Sequence, residues 1–286
     1  MTHPVKGIDH SFLLTDDLDG AAEQWRRLGF TLSPRGTHSA EKGTANYTII
    51  FQNDYFELLG VVTPAPGNQH QRDTLAQDGP GLRAIATRID DAHAARAALA
   101  ELGIQTGPVG EFSRPLPLPD GSTGTAAFAT TPFAPDEAPR GYIFMCQHKT
   151  RDMVWRPELQ THANTAQALA GIAAVTDAPE AEALAFARLY EQGAVRSIRG
   201  GFMVTTGPDS APILFFTPAT AAARWSVEAV TATPAHGFAA LRIRVADLAT
   251  ARAAVEASGV TAHTLPGGFW VAPADGAGAI VEFTTL

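Results

Sequence analysis

The segment IDHSFLLTDDLDGAAEQWRRLG, residues 8–29, passes from strand to helix within a few residues. Residues 8–14 form a short run rich in apolar side chains, of strand length, and Asp16-Asp17 can cap a following helix by accepting bonds from its free amides. Leu18, Ala21, Ala22, Trp25 and Leu28 then recur at i, i+3, i+4 and i+7, which places them on one helical face. Gly29 follows as a C′ glycine would. Beyond it, residues 30–33, 46–51 and 55–62 have strand character, the last two joined by a Gln52-Asn53-Asp54 turn.

The same order recurs three times, and a repeat of this kind decides the architecture. The second copy has a strand over 82–89, Asp90-Asp91, a helix through Ala94, Ala95, Ala98, Leu99 and Leu102, then Gly103 and a closing strand over 142–148. The third opens at 171–175, has a helix over 177–190 ending at Gly193, and strands over 202–206 and 213–216. The fourth has a strand over 238–245, Asp247, a helix through Leu248, Ala251, Ala254 and Val255, then Gly259 and strands over 268–272 and 279–284. Residues 113–120, rich in proline, and 131–140 read as loops.

Polar residues 149–167, with Pro157 among them, separate the copies into two pairs. The expected domains are 1–150 and 168–286, with 151–167 as linker. One βαβββ unit cannot bury both its faces, so the expectation is an α+β fold of four βαβββ modules paired into two curved eight-stranded mixed-sheet domains. Strong curvature makes each sheet a cup, and alternate residues of its strands point inward.

Composition narrows the partners. The 286 residues are 45% hydrophobic and 17% charged, enough for packed cores. A net charge of −8 without any basic run argues against nucleic acid, whose recognition depends on clustered Lys and Arg. No apolar stretch is long enough for a membrane span, and residues 1–6 lack the pattern of an export signal. A single cysteine, Cys146, cannot form an internal disulfide and suits a reducing, cytoplasmic setting. A monomer and a homodimer are both compatible with four modules in one chain.

Particular motifs sharpen this picture: Ile8-Asp9-His10 on the first strand, Tyr55-Phe56-Glu57-Leu58-Leu59-Gly60 on the last strand of copy one, and His38 ahead of Gly43-Thr44-Ala45-Asn46. Cys146-Gln147-His148, Val154-Trp155-Arg156-Pro157-Glu158 and His162-Ala163-Asn164 complete them. With the repeat, these resemble the vicinal oxygen chelate superfamily, and its glyoxalase-like branch in particular. The superfamily includes lactoylglutathione lyases, extradiol dioxygenases, epimerases and drug-sequestering, bleomycin-resistance proteins. The repeat spans nearly the whole chain, while the specific motifs fall in residues 8–60 and 144–164.

The resemblance implies one divalent metal, Fe, Zn, Mn or Ni, at the base of a cup, with ligands from the first and last strands. By position, His10 and Glu57 are ligands, and His148 is the candidate third if it rather than Gln147 faces inward. Ala84 stands where the second copy would supply another. Glu57 and His148 are the candidate proton-transfer groups, and His38, Asn46 and Arg114 are expected to line the cup and contact a small-molecule substrate. Two imidazoles and a carboxylate leave positions open for two adjacent oxygens of a substrate.

Chemistry on residue types alone is less specific. Glu57 between Phe56 and Leu58 is costly inside a sheet unless it faces solvent or is neutralised. Cys146 reads as a small apolar residue, not a nucleophile. His162 and Asn164 read as ties between linker and domain. Glu282 in Val281-Glu282-Phe283 has no histidine partner in its copy, since Ala240 takes the place of His10, so no metal is expected in the second domain. Two functions follow: a glyoxalase-like lyase or isomerase or an extradiol-type dioxygenase, or else a sequestering protein without catalysis, favoured by Ala84 and by the many apolar side chains.

Overall fold

A computed structural model describes residues 2–118 and 120–285. The first half contains β1 (Ile8–Thr15), α1 (Leu18–Arg27), β2 (Gly36–Thr37), β3 (Thr44–Ile50), β4 (Tyr55–Val61), α2 (Gln69–Asp78), β5 (Gly81–Arg88), α3 (Ala92–Glu101), β6 (Gly110–Pro117), β7 (Thr123–Pro132) and β8 (Tyr142–His148). After α4 (Arg151–Val154) come β9 (Ala166–Val175), α5 (Pro179–Ala187), β10 (Ala194–Ile198), β11 (Gly201–Thr205), β12 (Ile213–Phe216), α6 (Pro218–Trp225), α7 (Val227–Thr231), β13 (Ala240–Val245), α8 (Leu248–Glu256), β14 (His263–Leu265), β15 (Gly268–Val271) and β16 (Ile280–Thr284).

The strands form two eight-stranded mixed sheets, ordered β2-β3-β4-β1-β5-β8-β7-β6 and β10-β11-β12-β9-β13-β16-β15-β14. Each sheet is the paired-module arrangement expected of an α+β fold. In the first, β1 and β4 run parallel, as do β5 and β8, and β1 meets β5 antiparallel at the centre. Asp17, Asp91 and Asp247 cap α1, α3 and α8 by accepting from the backbone amides of Gly20, Ala94 and Thr250.

One apolar core lies on the helix-bearing faces and runs through both sheets, with Trp25, Phe56, Phe186, Phe215 and Phe283 fully buried. Phe30 and Phe283 stack with ring centres 5.9 Å apart, joining the first module to the last. Each concave face has its own smaller cluster. In the second sheet that face is filled by α6 and α7, which lay Ala221, Trp225 and Ala229 against Leu214, Phe216 and Trp270. Among the described residues no helix is long and apolar enough to cross a membrane.

Several expectations are corrected. Residues 113–117 belong to a strand, β6, rather than a loop; at the outer edge of the sheet Pro115 and Pro117 need not donate to a further neighbour. Pro119 of that stretch, and Met1, lie outside the described residues. Residues 30–33 are not a strand, because their backbone is engaged elsewhere: the Thr31 amide donates to His162 Nδ1 at 3.1 Å and the Ser33 amide to the Thr48 carbonyl. Residues 123–132 form β7, so the start of the expected 131–140 loop is strand. The helix α2, the strands β2, β10 and β14, and the pair α6 and α7 were not expected.

Candidate functional site

The site begins with an irregularity in β1. Ile8 pairs with Thr87 and His10 with Ala86, so Asp9 is an extra residue on β1, a bulge. Regular alternation would send Asp9 and His10 to opposite faces, and a bulge re-aims a side chain. Here both converge: His10 Nδ1 donates to Asp9 Oδ1 at 2.8 Å, and His148 Nε2 donates to the same oxygen at 2.9 Å.

A carboxylate accepting from both rings fixes their protons. His10 therefore carries a proton on Nδ1 and turns Nε2 the other way, where Glu57 Oε2 lies 3.8 Å off. Tyr55 stacks flat on the His10 ring at 4.1 Å, and Phe144 meets it edge-on at 5.7 Å. Glu57 is itself held, since Asn46 Nδ2 donates to its Oε1 at 2.7 Å. Burial alone would raise the Asp9 carboxyl, but the His148 and His10 imidazoles outweigh it and hold it far below the usual carboxylate range.

His10 and Glu57 open into a cavity of about 900 Å³ inside the first cup, lined also by His38, Lys42, Asn46 and Arg114. The structure thus brings five of the six expected site residues together. His148 goes elsewhere. It sits on the Nδ1 side of His10 with its side chain only 5% exposed, among Tyr55, Phe128 and Trp155, and Glu57 lies on the Nε2 side. Gln147 leaves on the opposite face and accepts from the Ala92 amide at the start of α3.

Register also identifies the other two positions of a four-ligand set. Ser11 pairs with Ile85 at the centre, so Ala84 is the symmetric counterpart of His10. Phe12 pairs with Glu57 just as Ala86 pairs with Phe144, which makes Phe144 the counterpart of Glu57. Both counterparts are without a donor atom.

A second grouping lies beside the cavity, sharing His10 and Cys146 with its lining. Ligand atoms of Asp9, His10, Cys146 and His148 all fall within 4.8 Å of one another. It leaves out Glu57. Burial pushes the Cys146 thiol well above its ordinary range, with the Asp9 and Glu57 charges adding to the effect. Asp9 Oδ2 and His148 Nδ1 are buried without a hydrogen-bond partner. Sequence reasoning missed Asp9 as a site residue; the signal was three successive polar residues, Asp9, His10 and Ser11, inside a strand whose residues are all buried.

The corresponding place in the second cup is a closed ion pair. Glu282, fully buried, accepts from Arg224 at 2.6 Å, Arg242 at 2.7 Å and the Trp225 indole at 3.1 Å. Burial would raise its carboxyl, but the two guanidinium groups hold it below the usual range.

A glyoxalase-like domain family matches residues 8–190, more than half of the chain and all of the first sheet. The chain belongs to this family, within the vicinal oxygen chelate superfamily. This glyoxalase-like chain is similar in fold to a hypothetical protein from Staphylococcus aureus, at 12% identity and TM-score 0.64, covering 98% of this chain and 99% of that one. A mutant 4-hydroxymandelate synthase from Streptomyces coelicolor is similar at 11% identity and TM-score 0.60, covering 98% and 92%. A methylmalonyl-CoA epimerase from Streptomyces coelicolor aligns at 20% identity and TM-score 0.39 over 51% of this chain and 99% of its own. No curated protein matches the glyoxalase-like chain.

Proposed function

We propose that the first cup is the active site of a metal-dependent enzyme acting on a small molecule with adjacent oxygens. The observation that carries this reading is His10 Nε2 facing the Glu57 carboxylate at 3.8 Å on the cavity wall. The donor set fits a divalent ion: an imidazole nitrogen and a carboxylate, each oriented by a partner of its own, Asp9 and Asn46. A divalent ion held there supplies Lewis acidity toward two neighbouring substrate oxygens.

The remaining steps belong to the chain. Asp9 keeps the His10 ring in one tautomer, and His148 positions Asp9 from behind. Asn46 fixes the Glu57 carboxylate. His38 is a candidate to move a proton: burial lowers its pKa, so a neutral ring lines the cavity near neutral pH, with Nδ1 engaged by the Thr44 hydroxyl at 2.7 Å. Ala84 and Phe144 exclude two further protein ligands and leave that side to water or substrate.

A synthase such as the 4-hydroxymandelate synthase similar in fold would suit such a site. The same two apolar counterparts favour the second reading, a binding protein that holds its ligand without chemistry.

Elemental analysis of protein purified without chelators separates the two. About one divalent ion per chain is expected in the wild type and in Cys146→Ser, with loss in folded His10→Ala and Glu57→Ala. Retention in both of the latter, or loss in Cys146→Ser alone, removes the cavity site; no ion bound on addition leaves the binding protein.

A further inference from the structure

Charged side chains that are partly buried in this protein are almost all matched. Arg83 bonds Asp78, Arg140 bonds Glu182, and Arg224 and Arg242 share Glu282. Two cations lining the cavity break the pattern: among the described residues, neither the Lys42 ammonium nor the Arg114 guanidinium has a hydrogen-bond acceptor or an ion pair. Both are shielded from solvent in part, a costly place for a cation without a bonded partner, and the Glu57 and Glu41 charges act on Lys42 only from beyond ion-pair contact.

Both are also held in position. Lys42 lies over the Phe112 ring, its nitrogen 3.6 Å from the ring centre. The loop carrying it is clamped by Asn68, a fully buried side chain whose amide donates to the carbonyls of Lys42 and Thr63. Gly43, at φ +57°, closes that turn, and a Cβ there would meet the Thr63 carbonyl at 2.2 Å. Arg114 reaches from β6 across β2, passing so close to Gly36 that a Cβ there would sit 2.8 Å from its guanidinium. Lys42 and Arg114 both act electrostatically on His38, which places the three in one part of the cavity beside Glu57.

We infer that Lys42 and Arg114 form an anion subsite, and that the ligand of this cup is a flat organic acid. Its oxyanion meets the two cations, and its body packs on the rings of Phe12, Phe128 and Phe144, which line the same cavity. The inference rests on the reading of the first cup as the ligand site, though not on an ion being held there. Lysine supplies a point charge and arginine a planar fork, so a carboxylate or a phosphate satisfies both.

The probes are benzoate and its neutral isostere benzamide, titrated against the full chain by ligand-observed NMR. Benzoate is expected to bind about tenfold more tightly, the return of one charge-assisted hydrogen bond. Lys42→Gln and Arg114→Gln each narrow that gap, and together they close it while benzamide affinity stays put. High salt narrows the gap in the wild type as well. Equal binding of the two probes, undetectable benzoate binding, or a gap that survives the double substitution overturns the proposal. Should the double variant bind neither probe, the single variants decide by the same criterion. His10→Ala is expected to keep the gap, so failure of the ion site and failure of the anion subsite are read apart.

Discussion

Asp9 controls the site through a single oxygen. Because Oδ1 accepts from both His10 and His148, each ring is locked in one tautomer, and the lock decides which nitrogen of His10 is free. Asp9→Asn replaces an acceptor-only group with one that also donates, so His10 no longer has a reason to keep its proton on Nδ1. Divalent-ion affinity is expected to fall by roughly 10–100-fold, the usual effect of losing such a partner. Competition against a chromophoric chelator measures it, and unchanged affinity would remove Asp9 from the site. The residues that face the cavity, His10 and Glu57 above all, were legible because their motifs sit at fixed places in the repeat. Asp9 was hidden by the bulge, since alternation along an unbroken strand turns it away. His148 shares a face with Phe144, the position that matches Glu57, but stands four residues beyond it and bonds Asp9 instead of meeting Glu57.

At the scale of elements, capped helices and closing strands were readable, and edges and insertions were not. Asp-first helices with a following glycine carry their own punctuation, as α1, α3 and α8 do. The strand β6 disguises itself with prolines that only an edge tolerates. The α6 and α7 pair joins β12 to β13 just as α2 joins β4 to β5, and these link helices lie outside the βαβββ pattern that the repeat makes legible. That pair explains why the first cup is open and the second closed: Trp225, fully buried, seals the second concave face and donates to Glu282. Trp225→Ala is expected to cost about 3–5 kcal/mol, through the lost ring and the cavity it leaves. Urea unfolding reads the loss, and the ion content should stay at the wild-type level because the first cup is untouched. A loss under about 1 kcal/mol would mean that α6 is not what holds that face closed.

Across the whole molecule, the two sheets meet at a charge that burial disfavours. Asp54, in the turn between β3 and β4, accepts the Leu169 amide of β9 at 3.0 Å and is 3% exposed. Burial raises its carboxyl to about 7, against 3.8 in the ordinary state; the Leu169 hydrogen bond and the charges of Arg88 and Arg244 oppose the rise, and Asp9 adds to it. Above about pH 4 the unfolded chain gives up this proton while the folded chain keeps it, so folding takes up a proton and stability declines as pH rises. The decline ends above about pH 7, where both states are ionised, and it amounts to a few kcal/mol at most. Asp54→Asn keeps an oxygen for the Leu169 amide and removes the ionisation. The variant is therefore expected to gain stability relative to wild type as pH climbs from 5 to 8, with the difference level beyond that. Denaturation midpoints at both ends of that range test it. A difference that does not change with pH would mean that Asp54 keeps its charge in the folded protein, and that the junction between the sheets is wetter than its burial implies.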